Sequence, residues 1–493
     1  MADSTDSTGT ADSRGTTGST GATGATGAGA GTGPGTGAGT GTGAGTGAGA
    51  GAVIGTGTGA GAGAVAGAGE AVSRPRKSSW KYIGPGIVVA ATGVGAGDLV
   101  ATLIAGSKFG YTLLWAAVIG CVVKISLAEA AGRWHLATGR TLFDGWRSLG
   151  NWTTVYFAVY VLVWGFVYGA TAMSSSALPI VALFPDGPGL KTWAVVTGLT
   201  GLVFVWFNRY AVFEKAMTVL IGMKFLVVMY VAVRVAPDLG EAVAGLVPVL
   251  PDGSLFYTLG LIGGVGGTIT MAAYGYWVNA KGWTNSGWMK VMRLDNRVAY
   301  ITTGLFVVAM LIIGAELLHS SQIALTSGDR GLIDLGTVLE DRFGVVTAKL
   351  FLIGFFATSF GALMGVWHGV SLMFADFVDR FVRERKGVDR EDAVDMVASG
   401  ARERSFMFRA YLLWLTFPPI ALLFLDEPFG LVVVYGVLGA FFMPFLALTL
   451  VWLLNSSRTP AEWRNGVLSN VMLAAGGLLF VVLCVQQVRD LPW

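Results

Sequence analysis

The sequence predicts an all-α integral membrane protein with about eleven transmembrane helices, ten of which form two inverted repeats of five. Three observations lead to this fold class. Hydrophobic residues make up 53% of the 493 residues and charged residues only 13%, about half the charged share of soluble domains. The apolar residues fall into stretches long enough to cross about 30 Å of hydrocarbon. Two of these stretches, five spans apart, are interrupted by clusters of glycine.

Residues 1–73 predict a disordered tail. Glycine alternates there with Thr and Ala, and large side chains are almost absent, so the segment cannot offset its ordering entropy by burying apolar surface. The tail lacks the basic and apolar regions of a signal peptide. Its few charges are mainly acidic, which argues against a nucleic-acid-binding arm. We therefore assign it no function.

Residues 74–493 form the predicted transmembrane domain. Its apolar stretches lie at approximately 83–105, 112–131, 152–174, 191–208, 214–234, 255–279, 298–319, 346–374, 408–425, 430–454 and 467–487. The first five stretches (about 83–234) and the next five (about 255–454) are equivalent repeats, and the eleventh is an additional helix. Because each repeat has an odd number of spans, the second repeat crosses the membrane in the opposite direction to the first.

Basic residues predict the orientation of these spans. If the N-terminus is inside, alternate loops carry most of the Lys and Arg residues, among them Arg133, Arg140 and Arg147 after the second span. Loops rich in Lys and Arg stay on the cytoplasmic side. We therefore expect a multi-pass protein of the cell membrane with a cytoplasmic N-terminus and an external C-terminus.

Several classes of protein do not fit the sequence. Cys121 and Cys484 both lie inside apolar stretches, which argues against a disulfide framework or a zinc knuckle. The chain lacks an HExxH metal site, a phosphate-binding loop with its Lys-Ser/Thr, and a nucleophile elbow in a suitable context. We therefore expect neither an enzyme nor an ATP-driven pump, and no cofactor.

The glycine clusters in spans one and six predict a central binding site. Span one contains the run Thr92–Asp98 (TGVGAGD), and span six contains the run Gly263–Gly275 (GGVGGTITMAAYG). Glycine weakens a helix and lets the backbone approach a ligand, and interrupted spans at matching positions of inverted repeats indicate a transporter's substrate site. The alternative is close helix packing through GxxxG pairs, which both runs also contain.

The motifs around the first break resemble those of the Nramp divalent-metal transporters. They are Gly84-Pro85 and Ala105–Trp115 in and after span one, Ala137–Arg140 after span two, and Met443-Pro444-Phe445 in span ten. The resemblance implies a LeuT-type inverted-repeat fold with broken helices one and six. It also implies coupling of manganese or iron uptake to protons, as is usual in that family.

The residues that carry metal in the resembled family are altered in this chain. The family's Asp-Pro-Gly-Asn motif falls on Gly95–Asp98, and its Met-Pro-His motif falls on Thr270–Ala272. The acidic pair of the family's third span is missing between Trp164 and Pro179. The resemblance therefore does not extend to soft-metal selectivity or to the usual proton route.

Asp98 is the strongest candidate for a metal ligand. A carboxylate beside an unwound turn can bind a cation together with the hydroxyls of Thr92, Thr268 and Thr270, and oxygen ligands suit hard ions such as Mg²⁺ or Mn²⁺. Gly95 and Gly97 add backbone groups, and Met271 supplies the family's sulfur ligand if the register shifts by one residue. The alternative role of Asp98 is to N-cap the outer half-helix.

Other polar residues within the spans are candidates for coupling or gating. Lys124 in span two could neutralise Asp98, which would favour a zwitterionic or anionic solute. Glu129 could couple transport, but it is better placed for a local ion pair with Arg133. His368 is either a proton relay or a hydrogen-bonded packing residue. Tyr274, with Tyr276 and Trp277, could gate the site or anchor the helix at the membrane interface.

The predicted function is secondary-active transport of a hard divalent cation, Mg²⁺ or Mn²⁺, at a site between spans one and six. A small organic solute such as an amino acid is the alternative cargo, and a non-transporting membrane sensor is the alternative class of protein. We expect the lipid bilayer and a small cation or solute as partners, and no nucleic acid. The oligomeric state does not follow from the sequence.

Overall fold

The structure is a computed structural model that describes residues 84–207, 209–264, 266–319, 330–385, 403–425 and 428–489. All of these belong to the second of two units of the chain, Glu70–Trp493. The predicted tail lies outside the described residues, as does most of the charged loop between spans eight and nine.

All regular structure in the described residues is helical. The first repeat contains α1 (Pro85–Thr92), α2 (Ala96–Phe109), α3 (Leu114–Thr138), α4 (Leu142–Leu149), α5 (Asn151–Leu183), α6 (Leu190–Phe207) and α7 (Tyr210–Arg234). After the short α8 (Leu239–Ala244), the second repeat contains α9 (Leu255–Gly264), α10 (Tyr274–Ala280), α11 (Met289–Gly314), α12 (Arg330–Phe343), α13 (Val345–Arg385), α14 (Phe406–Ile420) and α15 (Pro428–Asn455). The additional helix is α16 (Val467–Arg489).

These helices account for the eleven predicted spans. Eight of the described helices are long and apolar enough to cross a membrane: α3, α5, α6, α7, α11, α13, α14 and α16. The pairs α1/α2 and α9/α10 form the two broken spans, and α15 is the tenth. Helices α5 and α13 are longer than predicted because hydropathy marks only the hydrocarbon-crossing part of a helix, whereas α13 continues through a charged segment as far as Arg385.

The most buried span is α13, which packs against α1, α5 and α7. In its apolar window, 83% of the residues are buried, compared with 28% in α7 and in α16. Helices α7 and α16 therefore lie at the periphery of the bundle, where lipid covers their apolar side chains. The central position of α13 brings it against α1 and α10, the halves of the broken spans that begin or end on the predicted cytoplasmic side.

A tight connection joins α3 to α4 on the predicted cytoplasmic side. Helix α3 ends at Gly139, whose φ of 66° is left-handed and suits glycine. Helix α4 begins directly afterwards with a capping box, in which Thr141 N donates to the Asp144 carboxylate at 3.1 Å. This connection fixes Asp144 near the end of α13.

Candidate functional site

The first broken span is interrupted over three residues, between Thr92 at the end of α1 and Ala96 at the start of α2. Gly93 N still donates to Val89 O at 3.1 Å, but Gly93 O accepts from Gly267 N of the other broken span at 2.9 Å. A Cβ on Gly93 would overlap backbone atoms of Gly266 and Gly267. Glycine at position 93 therefore lets the two breaks touch through their backbones.

The second broken span has a longer interruption. Helix α9 ends at Gly264, a 3₁₀ turn covers Ile269–Met271, and α10 begins at Tyr274. Gly266 and Gly267 have φ values of 69° and 89°, a backbone region that side chains other than glycine rarely adopt. Both breaks thus lie where the glycine clusters predicted them.

A small cavity lies between the two breaks and encloses about 300 Å³ of space outside the protein's atoms, part of it open to solvent. Its lining combines three threonines, three aromatic residues and backbone: Thr92, Thr268, Thr270, Trp164, Tyr168, Tyr435, Gly93, Gly263, Gly267 and Val366. The three predicted threonines are thus brought together. The aromatic residues were not predicted, although Trp164 and Tyr168 stand four residues apart and so share one face of α5.

Two buried polar groups of this lining have no hydrogen-bond partner among the described residues. They are Thr270 Oγ1 and Trp164 Nε1. Thr92 Oγ1, in contrast, donates to Val88 O of its own helix at 2.6 Å. Because buried polar groups are normally paired, Thr270 and Trp164 are the groups best able to interact with a cargo, the hydroxyl as donor or acceptor and the indole only as donor.

The other predicted ligands are not among the described residues that line the cavity. Helix α2 begins at Ala96, so Asp98 is its third residue and not its N-cap. The alternative role for Asp98 is therefore wrong, because the helix resumes three residues earlier than an N-cap at Asp98 requires. The side chain of Asp98 lies outside the described part, and its role as a ligand stays a prediction. Gly95 and Gly97 at the start of α2, and Met271, do not belong to the described lining.

Other conventional metal ligands are scarce where the structure can be described. Within these residues, three or more His, Cys, Asp or Glu side chains do not come together in any arrangement that could hold a metal. The threonine and tyrosine residues of the cavity lining and its backbone carbonyls are therefore the described sources of oxygen ligands between the breaks.

Lys124 reaches the second break from α3. Its side chain is fully buried, its Nζ donates to Gly267 O, and it lies 5.3 Å from the ring centre of Phe480 on α16. The prediction that Lys124 neutralises Asp98 is not tested, because the Asp98 side chain is outside the described part.

Glu129 forms the expected local ion pair. Its carboxylate accepts from Arg133 Nε at 3.1 Å and from Arg293 Nε at 2.9 Å. Arg133 lies on the same helix, whereas Arg293 ties Glu129 to the start of α11, away from the described cavity lining.

Tyr274, Tyr276 and Trp277 are all buried, so the prediction that they anchor α10 at the membrane interface is wrong. Their polar atoms have partners inside the bundle, and the Tyr274 hydroxyl donates to Asp295 Oδ2 at 3.0 Å. A direct role of Tyr274 in gating stays a prediction.

Asp295 of α11 is a functional candidate that sequence reasoning missed. It is fully buried and accepts from Gly84 N at 2.8 Å and Gly86 N at 2.6 Å. A carboxylate at this position matches the positive end of α1 and satisfies two of its free N–H groups. Its flanking arginines make it look like an interfacial residue in the sequence.

His368 of α13 lies beside α10 and has two polar partners. Trp277 Nε1 donates to His368 Nδ1 at 3.1 Å, and His368 Nε2 lies 3.2 Å from Glu403. Because an indole N–H can only donate, this geometry assigns the ring proton to Nε2, which donates to the Glu403 carboxylate. The ring also stacks on Phe213 with centroids 4.2 Å apart, which agrees with the predicted packing role.

A second polar contact also joins α10 to α13. The Tyr276 hydroxyl donates to Asp376 Oδ2 at 2.7 Å, and Arg380 Nε donates to Asp376 Oδ1 at 2.9 Å. Arg380 also pairs with Asp144 of α4. The inner half of span six is thus bonded to α13 and, through it, to α4.

Comparisons with known proteins agree with this arrangement. The family model described as "Natural resistance-associated macrophage protein-like" (Nramp) matches residues 86–489. The divalent metal cation transporter MntH of Mycobacterium leprae is 25% identical over 441 residues, which cover 84% of this chain and 93% of that protein. The protein of the same name from Chromohalobacter salexigens is 26% identical over 320 residues, covering 59% and 70%.

Solved structures show the same fold. The manganese transporter of Eremococcus coleocola superposes with a TM-score of 0.67 at 17% identity, covering 85% of this chain and 91% of that chain. A nucleobase-cation-symport-1 family transporter in a closed conformation gives a TM-score of 0.50 at 15% identity, covering 83% and 92%. The LeuT-type fold with two broken spans is therefore confirmed, and with it the expectation of a multi-pass membrane protein. Because the family match spans almost the whole region from the first break onward, this chain belongs to the Nramp family.

Proposed function

We propose that the protein is a secondary-active transporter that carries a hard divalent metal cation, Mg²⁺ or Mn²⁺, through the cavity between the two broken spans. The observation that carries this proposal is the pair of breaks joined from Gly93 to Gly267 around a cavity lined by three threonines. Family members named for divalent metal transport support the choice of cargo.

The donors of the cavity favour a hard cation over a soft one. Hydroxyl and carbonyl oxygens suit Mg²⁺ and Mn²⁺, whereas thioether and imidazole groups suit softer metals. The described lining contains neither of the latter groups. Asp98, at the start of α2, would add the negative charge, and water retained by the ion would complete its coordination.

Uptake of Mn²⁺ and of Mg²⁺ into proteoliposomes tests this proposal. We expect saturable uptake of at least one of the two ions, and we expect Asp98→Ala to lower kcat/KM by at least about tenfold, as for loss of a charged ligand. Asp341→Ala, on the exposed face of α12, is the matched control and should leave uptake unchanged. Normal uptake by Asp98→Ala would remove Asp98 from the site, and the absence of divalent uptake by the unaltered protein would contradict the proposal.

A small organic solute is the second candidate cargo, and Trp164 is the observation that favours it. The buried indole N–H lacks an acceptor among the described residues, and the Trp164 ring stacks on Tyr168 at 4.6 Å, which in turn contacts Tyr435 at 5.1 Å. Such a wall suits an organic molecule with an acceptor group. Amino-acid uptake without metal uptake in the same proteoliposomes would favour this candidate.

We also infer that α1 begins at the cytoplasmic face, because the loops on that side hold most of the basic residues. A membrane-impermeant reagent applied to intact cells should not label a cysteine introduced at Arg140, at the end of α3. Labelling there would contradict this orientation.

A further inference from the structure

Lys124 places a positive charge against the break of the second broken span. The side chain comes from the middle of α3, is fully buried, and ends on the carbonyl oxygen of Gly267. The ring of Phe480, 5.3 Å from the Nζ atom, supports an ammonium group at this position.

Gly267 connects three spans at one residue. Its N–H donates to Gly93 of the first broken span at 2.9 Å, its carbonyl accepts from Lys124 of span two, and the residue itself lines the cavity. Carbonyl groups in an unwound helix are the atoms that coordinate a transported cation. At Gly267 the ammonium of Lys124 already uses that carbonyl.

We propose that Lys124 is a resident cation of the cargo site. It determines the specificity of that site by lowering the affinity of the site for divalent cations. This proposal rests on the proposed function in that it concerns the same cavity. Two effects act together: the ammonium competes for the Gly267 carbonyl, and its charge repels an ion bound beside that residue. Charges a few Å apart interact strongly where the effective permittivity is about 20 instead of 80.

Three substitutions separate the charge of Lys124 from its hydrogen bond. Lys124→Gln keeps an N–H donor and removes the charge, Lys124→Met removes both, and Lys124→Arg keeps both. We measure Mn²⁺ binding to the purified full chain by calorimetry and the KM for Mn²⁺ uptake in proteoliposomes. We expect the Gln and Met variants to bind Mn²⁺ at least about tenfold more tightly, with a correspondingly lower KM, and the Arg variant to match the unaltered protein.

Lys224 provides a matched control. It is a second buried lysine within a span, it lies 5.3 Å from the ring of Phe306, and it lines a separate apolar crevice between α1, α7 and α11. Lys224→Met should leave the affinity for Mn²⁺ unchanged. If Lys124→Met aggregates on gel filtration, the comparison between the Gln and Arg variants decides.

The outcomes separate this inference from the proposed function. Tighter Mn²⁺ binding by the Gln and Met variants without uptake by any variant supports the inference and contradicts transport of Mn²⁺. Uptake by the unaltered protein with unchanged affinity in the Gln variant supports transport and overturns the inference. Tightening in the Met variant alone would support competition for the Gly267 carbonyl and overturn the repulsion by the Lys124 charge. The absence of Mn²⁺ binding in every variant would overturn the inference as a whole.

Discussion

The two ends of the bundle hold the broken spans by different chemistry. At the predicted cytoplasmic end, four contacts hold α1 or α10, and most of them involve a buried carboxylate or imidazole: Asp295 with Gly84 and Gly86, Glu214 with Lys281, Asp376 with Tyr276, and His368 with Trp277. At the opposite end, Lys108 donates to Tyr257, His319 contacts Ser107, and Tyr111 donates to Glu316. These contacts are exposed or only partly buried.

The different burial of these contacts indicates which end of the bundle is harder to open. Breaking a buried charged contact leaves a group without its partner in a medium of low permittivity, whereas water replaces the partner of an exposed group. The half-helices α1 and α10 are therefore held more firmly than α2 and α9. We expect the outer end to open at lower cost, so that cargo enters from the side on which α2 and α9 lie.

The largest effect should follow from Asp295→Asn. The amide oxygen can accept from one of the two α1 N–H groups, but the amide NH₂ then faces the other, which loses its acceptor. We expect a loss of about 3 kcal/mol in the free energy of unfolding, measured by denaturant titration in detergent. Asp252→Asn, in an exposed loop, is the control. A loss as small as that of the control would show that the inner end is not held by buried charge.

The fold could be predicted from the sequence to a greater extent than the site. Apolar length and glycine clusters are local properties, and they located the eleven spans and both breaks. The contacts that hold the breaks join distant positions: Asp295 is 211 residues from Gly84, and Lys124 is 143 residues from Gly267. The sequence does not show which spans are neighbours. A carboxylate between two arginines is therefore taken for a residue at the membrane interface, and a lysine in the middle of a span cannot be assigned a partner.

An intermediate effect should follow from Tyr276→Phe, which removes one bond between α10 and α13 and leaves the Asp376–Arg380 pair in place. A hydrogen bond to a carboxylate contributes about 2 kcal/mol. We therefore expect faster hydrogen exchange of the α10 amides, measured by mass spectrometry. The control is Tyr411→Phe. The Tyr411 hydroxyl donates to Val161 O at 2.7 Å between α14 and α5, so its removal should leave the exchange of the α10 amides unchanged. Equal exchange in the two variants would contradict a role for Asp376 in closing the inner end.

The smallest effect should follow from Tyr111→Phe at the outer end. The hydroxyl donates to Glu316 at 2.6 Å, and burial together with this carboxylate raises the pKa of Tyr111 well above its ordinary value of 10.0. The bond should contribute about 1 kcal/mol. Because the pKa is higher in the folded state than in the unfolded chain, this contribution is fully present below about pH 10 and is lost as the pH rises further.

The melting temperature should therefore differ between the unaltered protein and Tyr111→Phe by a constant amount from pH 7 to pH 9. Above about pH 10 the difference should shrink, because the unfolded chain then gives up the phenolic proton that the folded state retains. A difference that stays constant above pH 10 would mean that the phenol has the same pKa in the folded and unfolded states and that its bond to Glu316 is weak. A difference as large as that of Asp295→Asn would contradict the expectation that the outer end opens at lower cost than the inner end.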